Sequence, residues 1–124
     1  MLFRSMSLFG LHRRWRGAAL GHLATVEMTS SEPSRRYSAG LRRLGFVGPT
    51  TVFYDEHVEA DAVHEQIASV DMCGSLVAES PQLRDDVLFG AACALAVDGL
   101  AGRHLLGAWE TGRCALRAAL AVAA

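Results

Sequence analysis

The sequence predicts an all-α fold, and three observations carry that prediction. Ala, Leu, Arg and Glu, all good helix formers, are prominent among the 124 residues; there are three prolines; and runs of Val, Ile and Thr are few. Apolar residues make up 51% and charged residues 20% of the chain, the balance expected of a soluble, ordered protein. The length suits a single domain over residues 1–124 with one core and is short for two.

The elements follow in order. Residues 2 to about 29 read as one helix, because Leu8, Leu11, Trp15, Ala19, Leu23 and Val26 recur at helical intervals. Gly17 and Gly21 inside it mark close packing or a kink. The run "TSSEPS", 29–34, reads as a break, with Ser34 the N-cap of a short helix through Arg43. "LGFVGPT" ends that helix, and Gly48, Pro49 and two threonines lead into another over about 52–73. Gly74 and "ESPQ" punctuate again. A long helix then covers about 81–119, with Asp85 and Asp86 in its first turns and Arg113 and Arg117 in its last, as the helix dipole favours. About four helices result. Trp15, Phe89, Leu106 and Trp109, at helical spacings, read as core.

Charge and cysteine usage narrow the function classes. Residues 1–43 hold eight arginines against Glu27 and Glu32, whereas the stretch from Asp55 to Glu110 holds eleven acids. With one tyrosine in "SRRYSAGLRRLG" and no DNA- or RNA-binding motif, the arginines read as salt-bridge partners and no nucleic acid is expected. No apolar run approaches the ~18 residues of a membrane span, so no membrane is expected either. Cys73, Cys93 and Cys114 are odd in number, lie about twenty residues apart and form no CxxC pair. They read as reduced, buried small hydrophobes of a cytoplasmic protein. The Arg-rich start shares its composition with transit peptides, but the helical reading accounts for more of its residues.

The chemistry concentrates in "HVEADAVH", 57–64. At about 100° per residue His57, Asp61 and His64 fall at about 0°, 40° and −20°, on one narrow stripe. Two imidazoles and a carboxylate so aligned suit iron, manganese or zinc, while the lack of a nearby cysteine disfavours structural zinc. The competing reading is a solvated acidic face beside Asp55, Glu56, Glu59 and Glu65. Glu27 tips the balance: it stands in an apolar and basic stretch with Leu20 and Leu23 on its own face. There a carboxylate must be paired, with Arg36 for example, or bound to metal.

The run "FGLHRRWRGAALGHLATVEMTSSEPSRRYSAGLRRLGF", then "YDEHVEADAVHEQIA" and "VLFGAACALAVDGLAGRHLLGAWETGR", resembles the iron-containing redox enzymes of the haem-oxygenase-like diiron superfamily. The most specific part is a Glu followed thirty residues later by H-x3-D-x2-H, here Glu27, His57, Asp61 and His64. The resemblance implies a partial haem-oxygenase-like helical bundle and a non-haem diiron oxidase or oxygenase. Its two Fe(II) ions would activate O2 to oxidise a small-molecule substrate such as a fatty acid, amino acid or amine. By the same resemblance Glu27 is a carboxylate ligand, His57 and Asp61 hold one iron, and His64 completes the set. The resemblance also implies a further glutamate and a Glu/His pair on helices preceding that of Glu27, yet no Asp or Glu precedes it here. A C-terminal portion of a family member is therefore expected, with Met1 internal to a longer frame. An incomplete bundle with an exposed apolar face predicts association into a homo-oligomer. The competing class is a non-catalytic helical remnant or protein-interaction module. Haem ligation by His104 is weighed against a core position for that residue, and the core position is preferred.

Overall fold

Helix accounts for nearly all of the described residues, as the composition predicts. The computed structural model describes residues 2–116. Helix α1 is Leu2–Leu11, α2 is Arg16–Arg43 and α3 is Pro49–Gln66. A π-helical segment, Ile67–Gly74, continues α3 into α4, Ser75–Glu79, and α5 is Arg84–Glu110. Short 3-10 turns, Arg13–Trp15 and Pro81–Leu83, lead into α2 and α5, and no strand occurs among the described residues. From α3 through α4 the junction residues Ile67, Gly74 and Ser75 keep right-handed helical dihedrals, so the three segments form one continuous rod. The architecture is an all-α bundle organised on α2. Helix α5 packs along one side of α2 and α3 with its π segment along another, while α1 folds back onto α2 and α5.

The α2–α5 crossing is set by small residues. A Cβ built on Gly21 would run into the Val87 carbonyl oxygen, and one on Gly90 into that of Ala18. Backbone meets backbone there, so the glycine at 21 marks close packing rather than a kink. Ala18 and Ala94 are buried beside the crossing, and a small cluster of Ala24, Ala68 and Cys73 seals α2 against the π segment.

Three element boundaries differ from the sequence expectation. The first helix does not run to 29 but breaks at His12, which is extended (φ −122°, ψ 113°). The break lets Phe9 fold into a pocket of Trp15, His22 and Phe89, with ring centroids 5.9 to 6.1 Å away. Burying Phe9 outweighs continuing a stripe whose Leu8 and Leu11 stay exposed. "TSSEPS" is not a break: α2 passes through it with Pro33 inside the helix. Ser30 and Ser31 turn their hydroxyls onto α3 instead of capping a new helix, and Ser34 is buried mid-helix. These cross-helix bonds offset the helix hydrogen bond that Pro33 cannot donate.

The last helix stops at Glu110, short of 119. Gly112 takes φ +67°, and the amides of Gly112 and Arg113 bond back to the carbonyls of Trp109 and Ala108, the paired closure of a Schellman stop. Gly45, at φ +87°, closes α2 in the same way on Arg42 and Leu41. Arg117 and the expected final turn to 119 lie outside the described residues.

The core also differs. Apart from Phe9, its buried apolar residues are Ala18, Ala24, Ala68, Cys73, Ala94 and Ala108. Of the large residues read as core, Trp15 is half-buried, while Phe89, Leu106 and Trp109 are exposed at 48%, 55% and 63%. His104 is exposed too, bonded to the Ala115 carbonyl. In the second half of α5 Ala108 is buried, but Leu100, Leu106 and Trp109 are left exposed. All three cysteines are free; only Cys73 is buried, which pushes its thiol pKa up, and Cys114 is exposed. No described helix is long and apolar enough to cross a membrane.

Candidate metal centre

The seam between α2 and α3 is polar along its length. Near the turn that joins the two helices Ser38 donates to Asp55 at 2.6 Å, and Arg42 closes a second bond to the same carboxylate at 2.7 Å. The Ser38 hydroxyl and then the Arg42 guanidinium hold the Asp55 carboxyl below its ordinary pKa. Arg36 pairs within α2 to Glu32 at 3.0 Å, which leaves Glu27 to the seam. One turn further, Ser31 bonds the Val58 carbonyl at 3.1 Å. These contacts fix the register of α3 on α2.

In that register Glu27, Asp61 and His64 converge, each offering a ligand atom within 4.8 Å of the others. Asp61 is 3% exposed, and its Oδ2 accepts a 2.6 Å bond from the Ser30 hydroxyl. The His64 Nδ1 donates to Glu27 Oε2 at 3.1 Å and lies 3.6 Å from Asp61 Oδ1. The imidazole N–H is thus bonded to the Glu27 carboxylate and lies within ion-pair distance of that of Asp61. A cation in the place of that proton would satisfy all three groups at once. Two carboxylate oxygens and one imidazole nitrogen, with no thiolate, are a donor set that fits iron or manganese.

His57, aligned with the stripe in sequence, is not part of this cluster. Its ring packs on Phe53, centroids 4.2 Å apart, and its Nδ1 donates to the Phe53 carbonyl at 2.6 Å. That bond fixes the tautomer with Nε2 as the lone-pair nitrogen, the arrangement common among metal-bound histidines. His22 points the other way, toward α1, where its Nε2 meets the Ser5 hydroxyl at 2.9 Å.

Ser30 is the residue that sequence reasoning missed. It stands three residues after Glu27, hence on the same helix face, and that spacing was the available signal. Two openings flank the cluster. The Glu27 and His64 side chains border one of about 220 Å³ walled by Leu23, Ile67, Ala68 and Met72, against the π segment. Single π turns inside helices often accompany functional sites. Ser30 itself borders the other, a groove of about 370 Å³ with Thr29, Tyr37, Tyr54, Leu95 and Asp98 in its walls.

No curated protein and no solved structure matches this chain. Residues 1–99 do match a family model, and by that match, which spans the helices that hold Glu27, Asp61 and His64, the chain belongs to the iron-containing redox enzymes.

Proposed function

We propose that this chain is an iron-dependent oxidoreductase that activates O2 to oxidise a small organic substrate, with iron held by Glu27, Asp61 and His64. The observation that carries the reading is the convergence of three donors of the right chemistry, one of them a buried carboxylate, in a chain whose family is iron-containing. His57, its tautomer set by the Phe53 carbonyl, would offer Nε2 as a further donor one turn before Asp61 on α3. Bound iron would supply electrons to O2, which is the chemistry that no side chain here can provide.

The residues of the chain do the rest. Ser30 orients Asp61 by donating to one carboxylate oxygen, which directs the other oxygen toward Glu27 and His64. As a ligand through Nδ1, His64 would carry its remaining proton on Nε2. The groove bordered by Ser30 lies within the size range of small-ligand sites, with Tyr37, Tyr54, Asp98 and several Ser and Thr hydroxyls among its polar groups. It is the place for the organic substrate. The three free cysteines suit a reducing cytoplasm.

Oxygen uptake tests the reading. Protein loaded anaerobically with Fe(II) and then mixed with buffered O2 is expected to consume O2 faster than free Fe(II) at equal concentration. His64→Ala is expected to lose that excess. A folded protein that binds no iron and leaves the rate unchanged would instead be a non-catalytic helical module.

A further inference from the structure

Within one chain three donors converge, and among the described residues no other cluster of His, Cys, Asp and Glu lies with them. Three donors leave up to half of an octahedral ion's coordination unfilled. The way they are distributed is informative. Glu27 stands alone on α2, whereas Asp61 and His64 form a carboxylate-x-x-His pair at i and i+3 on α3. Di-metal carboxylate centres in helical bundles are built from two such sets, each a lone carboxylate on one helix and a carboxylate-x-x-His pair on another, all projecting inward. The α2–α3 pair carries one complete set.

The surroundings of that set are those of a boundary rather than of a closed core. The Glu27 and His64 side chains are 26% and 52% exposed. Leu23, Ile67 and Met72 wall the opening in front of them, and Val63, Ile67 and Val70 on the same rod are at least half exposed. Polar donors that open onto Leu23, Ile67 and Met72, with Ile67 half exposed, match an interface whose rim excludes water from its centre. A twofold contact is isologous, so this patch would meet its own copy and three donors would become six. Without metal the same contact would bring the two Glu27 carboxylates together above the buried Asp61 carboxylates, four negative charges repelling one another. Cations would reverse that repulsion.

We propose that a second copy of this chain completes the metal centre, each copy contributing Glu27, Asp61 and His64, so that metal binding and dimerisation are one event. This rests on the assignment of those three residues as metal ligands. The dimer holds two ions, one per chain, and the apolar rim around Ile67 is buried in it.

The test uses the full chain and Mn(II), which takes the same carboxylate and imidazole donors. Sedimentation velocity is run with and without Mn(II), and electron paramagnetic resonance is recorded on the loaded sample. The expected result is a doubling of the sedimenting mass on Mn(II) addition, one ion per chain, and the spectrum of a coupled pair. His64→Ala, at a half-exposed position, and Glu27→Gln are expected to keep the helical circular dichroism and lose both the mass change and the coupling. One isolated Mn(II) per chain, whether on a monomer or on a dimer whose mass ignores the metal, overturns the shared centre but leaves the ligand assignment standing. A folded chain that binds no Mn(II) overturns both.

Discussion

Helix α2 presents two faces to its neighbours, and they are built on opposite principles. Toward α5 it offers glycine and alanine, and the two backbones touch at Gly21 and Gly90. Toward α3 it offers Glu27, Ser30, Ser31, Ser38 and Arg42, and the helices are held by side-chain hydrogen bonds and an ion pair. The first face derives its stability from packing that tolerates no added atom. The second leaves donors and openings between the helices, at the expense of a sealed core, and there Glu27, Asp61 and His64 converge. A chain of this length that builds its core largely from alanine has little apolar burial to spare, so the close α2–α5 crossing is what supports the polar seam.

The largest expected effect follows from breaking the packed face. Gly90→Ala puts a Cβ against the Ala18 backbone, which cannot rotate away, and should destabilise the fold by about 3 kcal/mol, the upper part of the range for overpacking. Gly102→Ala, on the same helix but with open space around it, should instead stabilise by about 0.5–1 kcal/mol. Urea unfolding of both variants checks the contrast, and equal effects would mean that the crossing is not as tight as described.

A smaller effect is expected on the polar face. Ser30→Ala removes the donor to the buried Asp61 carboxylate and should cost about 1–3 kcal/mol in metal-free protein. Added Fe(II) should recover part of that loss, because the cation replaces the missing donor; unfolding curves with and without the metal read the difference.

The smallest effect lies at the junction of α1 with the packed face. His22 is fully buried, its Nδ1 has no hydrogen-bond partner among the described residues, and burial lowers its pKa, with its own backbone opposing. The neutral form is the one the fold accepts. Its stabilising contribution is therefore complete above the ordinary histidine value of 6.5 and is lost as pH falls from there through the lower folded value. His22→Gln should flatten the decline of the urea midpoint below that pH, and an unchanged slope would assign the decline to other groups.

Much of this was legible in the sequence. A carboxylate in an apolar and basic stretch needs a partner, which singled out Glu27, and the D-x2-H spacing put Asp61 and His64 on one face of a helix. Glycines inside a periodic helix marked the crossing at Gly21. What was not legible depends on tertiary context. Serines, threonine and proline in "TSSEPS" read as a break because locally they compete with the helix, whereas here Ser30 and Ser31 find acceptors on α3 that no local rule anticipates. Apolar periodicity in α5 shows which face is apolar but not whether anything covers it, so Leu106 and Trp109 were misplaced in the core. The stripe of His57, Asp61 and His64 is real, yet alignment within one helix does not decide which residues meet Glu27 across the seam.

The most direct test of the account is the iron content of protein reconstituted anaerobically with Fe(II) and freed of excess metal, measured for the native chain, Asp61→Asn and His104→Ala. The account predicts at least one iron per chain in the native protein, retained in His104→Ala and lost in Asp61→Asn with the helical content unchanged. Iron retained by a folded Asp61→Asn would contradict it, because the buried carboxylate at the meeting point of α2 and α3 would then not be a ligand.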